Sequence, residues 1–419
     1  MFKSIVAALL FLVVAAGSAL AQQAPAATPP STPPTTLPEV LDARVSTTPE
    51  RARLVLDLSG QTQFAIASLE SPNRIAIDVK ATGLDFTEMS PVAGTGLVSS
   101  YTVEIAEAGR VRTELVLSET AQVQQAYILD PFADQPARLV VDVIPATPDQ
   151  FKANVARDLA ASQAAANAEK PADTPTAPGG SNIASATRPL VVIDPGHGGV
   201  DSGARSPGGV MEKNLVLSFA KRLQEILVES GRFDVALTRE GDSFLKLEDR
   251  VNLARANKAD LFISIHADSF QDPEIRGLSV YTRDENATDS LDKVLAEHEN
   301  KADIIAGLAP PEMANSVVDL LVDLMRREMR RESYTAAQAI VHQLEPSVEL
   351  RKFPVRQANF FVLQAPDVPS ILVELGFLSN VDDIANLKTS DWQDRTAEAI
   401  ARGISTYFDD LKAQPEKAE

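Results

Sequence analysis

Two stretches of this 419-residue chain hold too little apolar surface to fold, and they dictate where folded domains can lie. Residues 22–37 are built from Gln, Ala, Pro, Thr and Ser, while residues 148–187 are rich in Ala and Pro and include the run Pro178-Gly179-Gly180-Ser181. Such compositions cannot bury enough surface to offset chain entropy. The first is expected to be a disordered leader and the second an interdomain linker whose first part can be helical. These breaks isolate a segment at 38–147 and another at 188–412, followed by a short tail at 413–419. With 44% hydrophobic residues the chain has material for two cores.

The first 21 residues carry Lys3, an apolar run from Ile5 to Ala16 and the small-residue ending Ala19-Leu20-Ala21. That pattern reads as a secretory signal peptide, which places the mature protein in the periplasm. The run is too short to span a bilayer, and no other stretch supplies the roughly 20 apolar residues a membrane helix needs, so no integral membrane segment is expected in the mature chain. Cysteine is absent, which excludes disulfides and thiolate metal ligands. The formal charge of −19, or −20 without Lys3, argues against a grip on nucleic acid.

Segment 38–147 shows short alternating runs such as Arg53-Leu54-Val55-Leu56-Asp57-Leu58 and Arg74-Ile75-Ala76-Ile77-Asp78-Val79. Period-two alternation bounded by Gly, Pro and Asn predicts strands. The runs also repeat. The stretch from Arg51 is echoed from Arg110, and the one from Asn73 is echoed by Ala137 to Val143, at offsets of 59 and 64 residues. A duplicated three-stranded unit is expected to pack face to face as a small all-β sandwich. It holds no histidine and no catalytic cluster.

Segment 188–412 alternates strand and helix patterns. Strands are expected at Leu190–Asp194, Phe233–Thr238, Leu261–His266 and Gly277–Thr282, with helices at Glu212–Ser230 and Leu247–Asn257. Strands resume at Phe360–Leu363 and Ile371–Glu374, and an amphipathic helix from about Trp392 to Leu411 closes the chain. The order implies an α/β domain, a twisted and mainly parallel sheet flanked by helices.

Of four histidines, His197 and His266 both follow apolar strands, where α/β sheets place ligands. His197 lies between glycines in Asp194-Pro195-Gly196-His197-Gly198-Gly199, and Glu212 opens the following helix. Two imidazoles and a carboxylate suit zinc with one open position. Taken singly, each has a plainer reading: an ordinary hydrogen-bonded histidine, or a first-turn glutamate at the favourable end of a helix dipole. Spacings of 15 and 54 residues do not by themselves bring the three together. Glu374 ends a buried strand, where a lone carboxylate is costly without a compensating metal, proton or partner. It reads either as a general base beside a metal-activated water or as a salt-bridged structural residue.

Taken together, V-V-I-D-P-G-H-G-G from Val191, Glu212-Lys213, Leu237-Thr238-Arg239, S-I-H-A-D from Ser264 and I-L-V-E-L-G-F-L-S-N from Ile371 resemble the AmiC-type N-acetylmuramoyl-L-alanine amidases. Segment 38–147 resembles the AMIN domain that accompanies them. The resemblance implies cleavage of the amide between N-acetylmuramic acid and L-alanine in peptidoglycan, for wall remodelling and daughter-cell separation. It makes His197, Glu212 and His266 ligands of one Zn2+ and Glu374 the catalytic carboxylate. The AMIN domain would bind peptidoglycan or direct the enzyme to the division site.

Between the strands at 277–282 and 360–363 lies an interruption, about 283–358, that is largely helical. Val317, Leu320, Leu321, Leu324 and Met325 recur at helical spacing, and Glu297, Glu299 and Asp303 fall in a preceding stretch. A connection of that length is usually functional. It either packs on the domain as a helical hairpin or, as the resemblance implies, covers the zinc until a LytM-type activator displaces it. Glu285 is the carboxylate expected to fill the open zinc position, and His298 and His342 are expected to be exposed helix residues. Two other functions stay open on sequence: a zinc peptidase cutting a different stem-peptide bond, and a wall-binding regulator without activity.

Overall fold

The computed structural model describes residues 37–107, 109–131, 135–168, 188–309 and 320–413. The expected signal peptide, almost all of the leader, linker residues 169–187, Val317 and tail residues 414–419 lie outside them. Among the described residues no helix is long and apolar enough to cross a membrane.

The N-terminal part is all β: β1 (Val40–Thr47), β2 (Ala52–Leu58), β3 (Phe64–Leu69), β4 (Arg74–Val79), β5 (Ala93–Gly94), β6 (Val98–Glu107), β7 (Arg110–Leu117), β8 (Ala121–Leu129) and β9 (Ala137–Pro145). They form two sheets, ordered β5-β1-β2-β9-β8 and β3-β4-β7-β6. Alternation does the work expected of it: in β7 the side chains of Val111, Thr113, Leu115 and Leu117 point inward and their neighbours outward. Val111, Leu115 and Leu117 share one core with Leu54, Leu56, Ile75, Ile77, Leu139 and Val141 from the other strands.

The sequence echo corresponds to a different arrangement from the expected pair of stacked copies. β2 pairs with β9 and β4 with β7, both antiparallel, so each sheet joins a strand of one copy to a strand of the other. Arg53 stands opposite Asp142 in one sheet and Asp78 opposite Arg112 in the other. This exchange leaves the central strands without free edges, which separate three-stranded copies would expose. Helix α1 (Pro148–Ala168) follows, inside the stretch expected to be linker, and Phe151 tucks into the β core.

The C-terminal part runs β10 (Leu190–Pro195), α2 (Glu212–Glu229), β11 (Asp234–Leu237), α3 (Leu247–Ala256), β12 (Leu261–His266), β13 (Leu278–Arg283), α4 (Ser290–Glu299), α5 (Ala302–Ile305), α6 (Leu320–Leu344), β14 (Leu350–Ala358), β15 (Ser370–Glu374), α7 (Val381–Leu387) and α8 (Ser390–Ala413). The six-stranded sheet has the order β11-β10-β12-β15-β13-β14, with β13 and β15 its one antiparallel pair. β14 lies inside the interruption expected to be largely helical. Arg351, Lys352 and Pro354 mask it, because an edge strand tolerates charge and proline that a central strand excludes. In the apolar run Phe360–Leu363, expected to be a strand, Phe361–Leu363 instead form a single 3-10 turn.

β12 and β15 are buried along their whole length, as the inner strands of a sheet covered on both faces must be. One face carries α2, α6 and α8, whose Leu223, Ile340, Ile400 and Ile404 are fully buried. Each such side chain contributes about 1.5–3 kcal/mol through burial. At Gly403 of α8 a Cβ would come within 2.4 Å of Ile340 Cα, so only glycine lets α6 and α8 approach as they do. The other face holds α3, α4 and the 3-10 turn. In register, Pro195 lies beside Ile265 and His266 beside Glu374, so three adjacent parallel strands end at one level.

Candidate metal centre

His197 sits just past β10 with φ of 58°, a left-handed conformation that costs a non-glycine residue about 1–2 kcal/mol. Buried guanidinium groups hold it there. Arg239 donates to the carbonyls of Pro195 at 2.9 Å and Gly196 at 2.7 Å, and Arg250 to those of Pro195 and His197, each at 2.8 Å. Asp194 is fully buried and ties the same frame to Arg250, Thr238 and Ser264. Burial opposes its charge, but Arg250 and the hydroxyl donors hold its carboxyl below the ordinary range.

Glu212 places its carboxylate between the two imidazoles. Oε2 lies 3.1 Å from His197 Nε2 and Oε1 3.2 Å from His266 Nδ1. The backbone N–H groups of Ala204 and Ala267 donate to the same two oxygens at 2.8 Å, fixing the carboxylate from opposite loops. Crowding is severe: a Cβ on Gly203, at φ 59°, would fall 2.5 Å from Glu212 Oε2, and one on Gly196 would fall 2.4 Å from the His266 ring. These two glycines exist because the imidazoles and carboxylate occupy the space.

Glu374, at the end of β15, is fully buried. Its Oε2 accepts from the Asp268 N–H at 3.2 Å, while Oε1 is buried without a hydrogen-bond partner. Burial, reinforced by Glu212, Asp268 and Glu299 against the pull of His266, pushes its carboxyl well above the carboxylate range.

A fifth group closes the site, and it is not the expected one. Glu299, the last residue of α4, lies with Oε2 3.1 Å from His266 Nδ1 and 3.5 Å from His197 Nε2. Glu285 instead lines a surface cavity beside Arg283, Arg326 and Arg330. The reason is helix geometry. Glu285 precedes α4 in a bend, whereas α4 carries Glu299 inward from an anchored start: Asp289 caps it, and buried Asp292 accepts from Tyr281 at 2.8 Å and from Arg356. His298 and His342 are both exposed, as expected, and His298 Nδ1 also lies 3.3 Å from Asp268.

The charges are strongly coupled. Burial lowers the His197 pKa, but Glu212, Glu299 and Asp201 overcome it and raise the group to about 10; His266 is likewise driven up by Glu299 and Glu212. Burial resists ionisation of Glu212 and Glu299, yet the imidazoles hold both carboxyls well down. His298 rises to about 11 through its contacts with Asp268 and Glu299. Despite these short charge contacts, His197 Nε2 and His266 Nδ1 have no hydrogen-bond partner of adequate geometry. Buried donors and acceptors are normally satisfied. Two open imidazole nitrogens facing carboxylate oxygens are the donor set zinc takes, and His197, His266 and Glu299 lie close enough to share one ion.

Residues 191–406 match the N-acetylmuramoyl-L-alanine amidase family model, and residues 42–143 match the AMIN domain. The chain is 33% identical over 383 residues to the N-acetylmuramoyl-L-alanine amidase AmiC of Escherichia coli O6:H1, covering 89% of this chain and 90% of that protein. It is also 33% identical to AmiC of Neisseria meningitidis serogroup B, over 88% of this chain and 90% of that one. The chain belongs to the AmiC-type N-acetylmuramoyl-L-alanine amidases. AmiA of Escherichia coli K12 is 40% identical over 232 residues, 54% of this chain and 80% of AmiA.

In this amidase several residues that frame the site escaped sequence reading. Asp201 accepts from His197 Nδ1 at 2.8 Å and so turns Nε2 toward Glu212 and Glu299. A carboxylate that orients a ligating imidazole through its other nitrogen is a recurrent device at metal sites. Its signal was an acidic residue four positions after the histidine in a glycine-rich loop. Arg239 and Lys213 stand inside the motifs L-T-R and E-K, and they hold the loops around the site: Lys213 donates to the Gly199 carbonyl at 2.8 Å and to the Asp242 carboxylate at 2.7 Å.

Proposed function

We propose that this amidase hydrolyses the amide between N-acetylmuramic acid and L-alanine using one zinc ion held by His197, Glu212 and His266, and that Glu299 keeps the resting enzyme closed. The observation that carries this reading is the pair of buried imidazole nitrogens, His197 Nε2 and His266 Nδ1, left open toward carboxylates beside unpaired Glu374 Oε1.

Zinc bound there supplies Lewis acidity toward a carbonyl oxygen and toward water. Asp201 fixes the His197 tautomer, so that the Nε2 lone pair faces the ligand position. The two backbone N–H donors hold Glu212 in place at no further entropic cost. Glu374 is the proton carrier. With the positive charge of a bound zinc opposing the upward pull of burial, its ionised carboxylate would take a proton from the attacking water as the new carbon–oxygen bond forms, and return it to the amide nitrogen as the carbon–nitrogen bond breaks, so the L-alanine amine leaves neutral. Its burial keeps bulk water from competing for that proton.

Glu299 lies against both imidazoles, where it would fill the position that zinc needs open. It is held by the anchored helix α4 and by His298, whose Nδ1 lies 3.6 Å from Glu299 Oε1. Withdrawal of α4 by a LytM-type activator would free the position. On this reading an N-terminal signal directs this chemistry to the periplasm, the AMIN domain brings it to peptidoglycan, and the cut serves wall remodelling and daughter-cell separation.

The test is product release from purified sacculi, with zinc content measured on the same sample. Full-length protein should bind one zinc and release stem peptides beginning with L-alanine slowly, and Glu299→Gln should raise that basal rate about tenfold or more. Release of D-alanine instead of stem peptides would make it a carboxypeptidase, and a folded Glu299→Gln protein with an unchanged slow rate would overturn the closed resting state.

A further inference from the structure

Strand β11 is the edge of the catalytic sheet, and an edge strand leaves alternate carbonyls without a strand partner. Here side chains from the β domain reach them, the Val235 carbonyl also accepting from Gln224 of α2 at 3.4 Å. Tyr127 Oη donates to the Val235 carbonyl at 2.6 Å, Arg138 Nη2 approaches the Leu237 carbonyl at 3.5 Å, and Gln135 Nε2 donates to the Thr238 carbonyl at 3.0 Å. Next in the chain, Glu240 lies 3.9 Å from Arg44 and 4.0 Å from Arg138. Below these contacts Leu129 and Val140 of the β domain share an apolar cluster with Val192 and Ala236 of the catalytic sheet.

The gripped segment ends where the metal site begins. Thr238 Oγ1 donates to Asp194 at 2.6 Å, and Arg239 donates to the carbonyls of Pro195 and Gly196, the two residues before His197. Lys213, beside Glu212, gives its carbonyl to the same guanidinium at 2.9 Å. The left-handed backbone of His197 is therefore fixed from below by Arg239, and the strand that delivers Arg239 is fixed by another domain.

We propose that the β domain is a positioning part of the metal site: by holding the carbonyls of Val235, Leu237 and Thr238 it sets Thr238 and Arg239, and through them the loop that carries His197. This goes beyond binding or targeting to the wall, and it rests on the reading of His197 as a metal ligand. Gln135 and Arg138 are positioning residues that touch neither metal nor substrate.

The experiment uses the full chain with Gln135→Ala and Arg138→Ala combined, Tyr127→Phe as the gentlest variant and Arg138→Lys as the conservative one. In metal-free protein, backbone hydrogen exchange is followed at Gly196, His197, Gly198 and Thr238. In loaded protein, zinc affinity is measured by competition with a chelator. The double variant should exchange about tenfold faster at those amides and bind zinc about tenfold more weakly, with β12 and β15 exchanging as in the wild type; Tyr127→Phe should do so to a lesser degree, and Arg138→Lys should recover most of the loss. Unchanged exchange and zinc affinity in a folded double variant would overturn the proposal. So would faster exchange spread evenly over the catalytic sheet, which marks a merely structural interface. If the wild type binds no zinc, the reading of the site fails while the exchange measurement still decides the positioning role.

Discussion

In the β domain, Arg53 and Asp142 are 8% and 0% exposed, and their hydrogen bonds close on themselves: Arg53 donates to the two carboxylate oxygens at 2.7 and 2.8 Å, and Gln125 donates to one of them at 2.8 Å. In the catalytic domain, His197, His266, Glu299 and Glu374 are as deeply buried, yet each keeps a nitrogen or oxygen without a hydrogen-bond partner. A closed buried pair is paid for by its own geometry. Several open atoms facing one another in one buried cluster are what a group from outside the chain would complete, and that separates the candidate site from the closed pair. If that distinction is right, substitutions in the open cluster should cost chemistry and substitutions in the closed one should cost stability.

The largest effect is expected at Glu374. Glu374→Gln keeps the shape and removes the exchangeable proton, so kcat for stem-peptide release should fall by about 10²–10⁴. Zinc content should stay unchanged and the melting temperature should move by no more than about 2 °C. Loss of fold or metal together with activity would assign Glu374 to structure and erase the contrast.

Asp142→Ala should do the reverse. Removing one partner strands Arg53 in a buried place, at a cost of about 3–5 kcal/mol in denaturant unfolding. The sequence echo supplies an internal control. Asp78 and Arg112 occupy the equivalent register in the second sheet, with hydrogen bonds of 2.7 Å, but their side chains are 22% and 34% exposed because no catalytic domain covers them. Asp78→Ala should cost less than about 1 kcal/mol. Equal costs at the two positions would mean that the catalytic domain's cover adds nothing to the buried pair.

How much of this could be read from residues alone follows the same division. Apolar strands and helical periods are local, so the β-rich and α/β segments, and the strand ends carrying His266 and Glu374, were legible. His197, His266 and Glu374 converge because adjacent parallel strands end at one level, and Glu212 joins them from the first turn of α2, held by the Ala204 and Ala267 N–H groups. What failed depends on long-range geometry. Choosing Glu299 over Glu285 requires knowing how far α4 runs and which way it faces. β14 hid behind Arg351 and Lys352, since an edge strand need not alternate. The interlocked repeat was visible as an echo, but pairing β2 with β9 instead of with β4 is decided by backbone edges that leave no mark in side-chain pattern. The grip of Tyr127, Gln135 and Arg138 on β11 was invisible for the same cause: its acceptors are carbonyls.

The smallest effect tests how far the closed pair's charge reaches. Asp234, the first residue of β11, is half-buried, and burial lifts its carboxyl from 3.8 to about 6, with Asp142 and Asp260 adding and Arg188 opposing. A raised carboxyl binds its proton more tightly in the folded state. The folded chain therefore holds more protons than the unfolded one between about pH 4 and 6, and stability falls as pH rises through that window. Above it the loss is complete. Asp234→Asn removes the ionisation, so urea unfolding should show the variant more stable than the wild type at pH 8, by an amount worth about 2 °C in melting temperature, and equal to it at pH 4. Combined with Asp142→Asn the gain should shrink, because part of what Asp234 avoids is the neighbouring carboxylate. An undiminished gain would show that Arg53 neutralises Asp142 completely, and that the closed pair is electrically silent even to the strand it lies against.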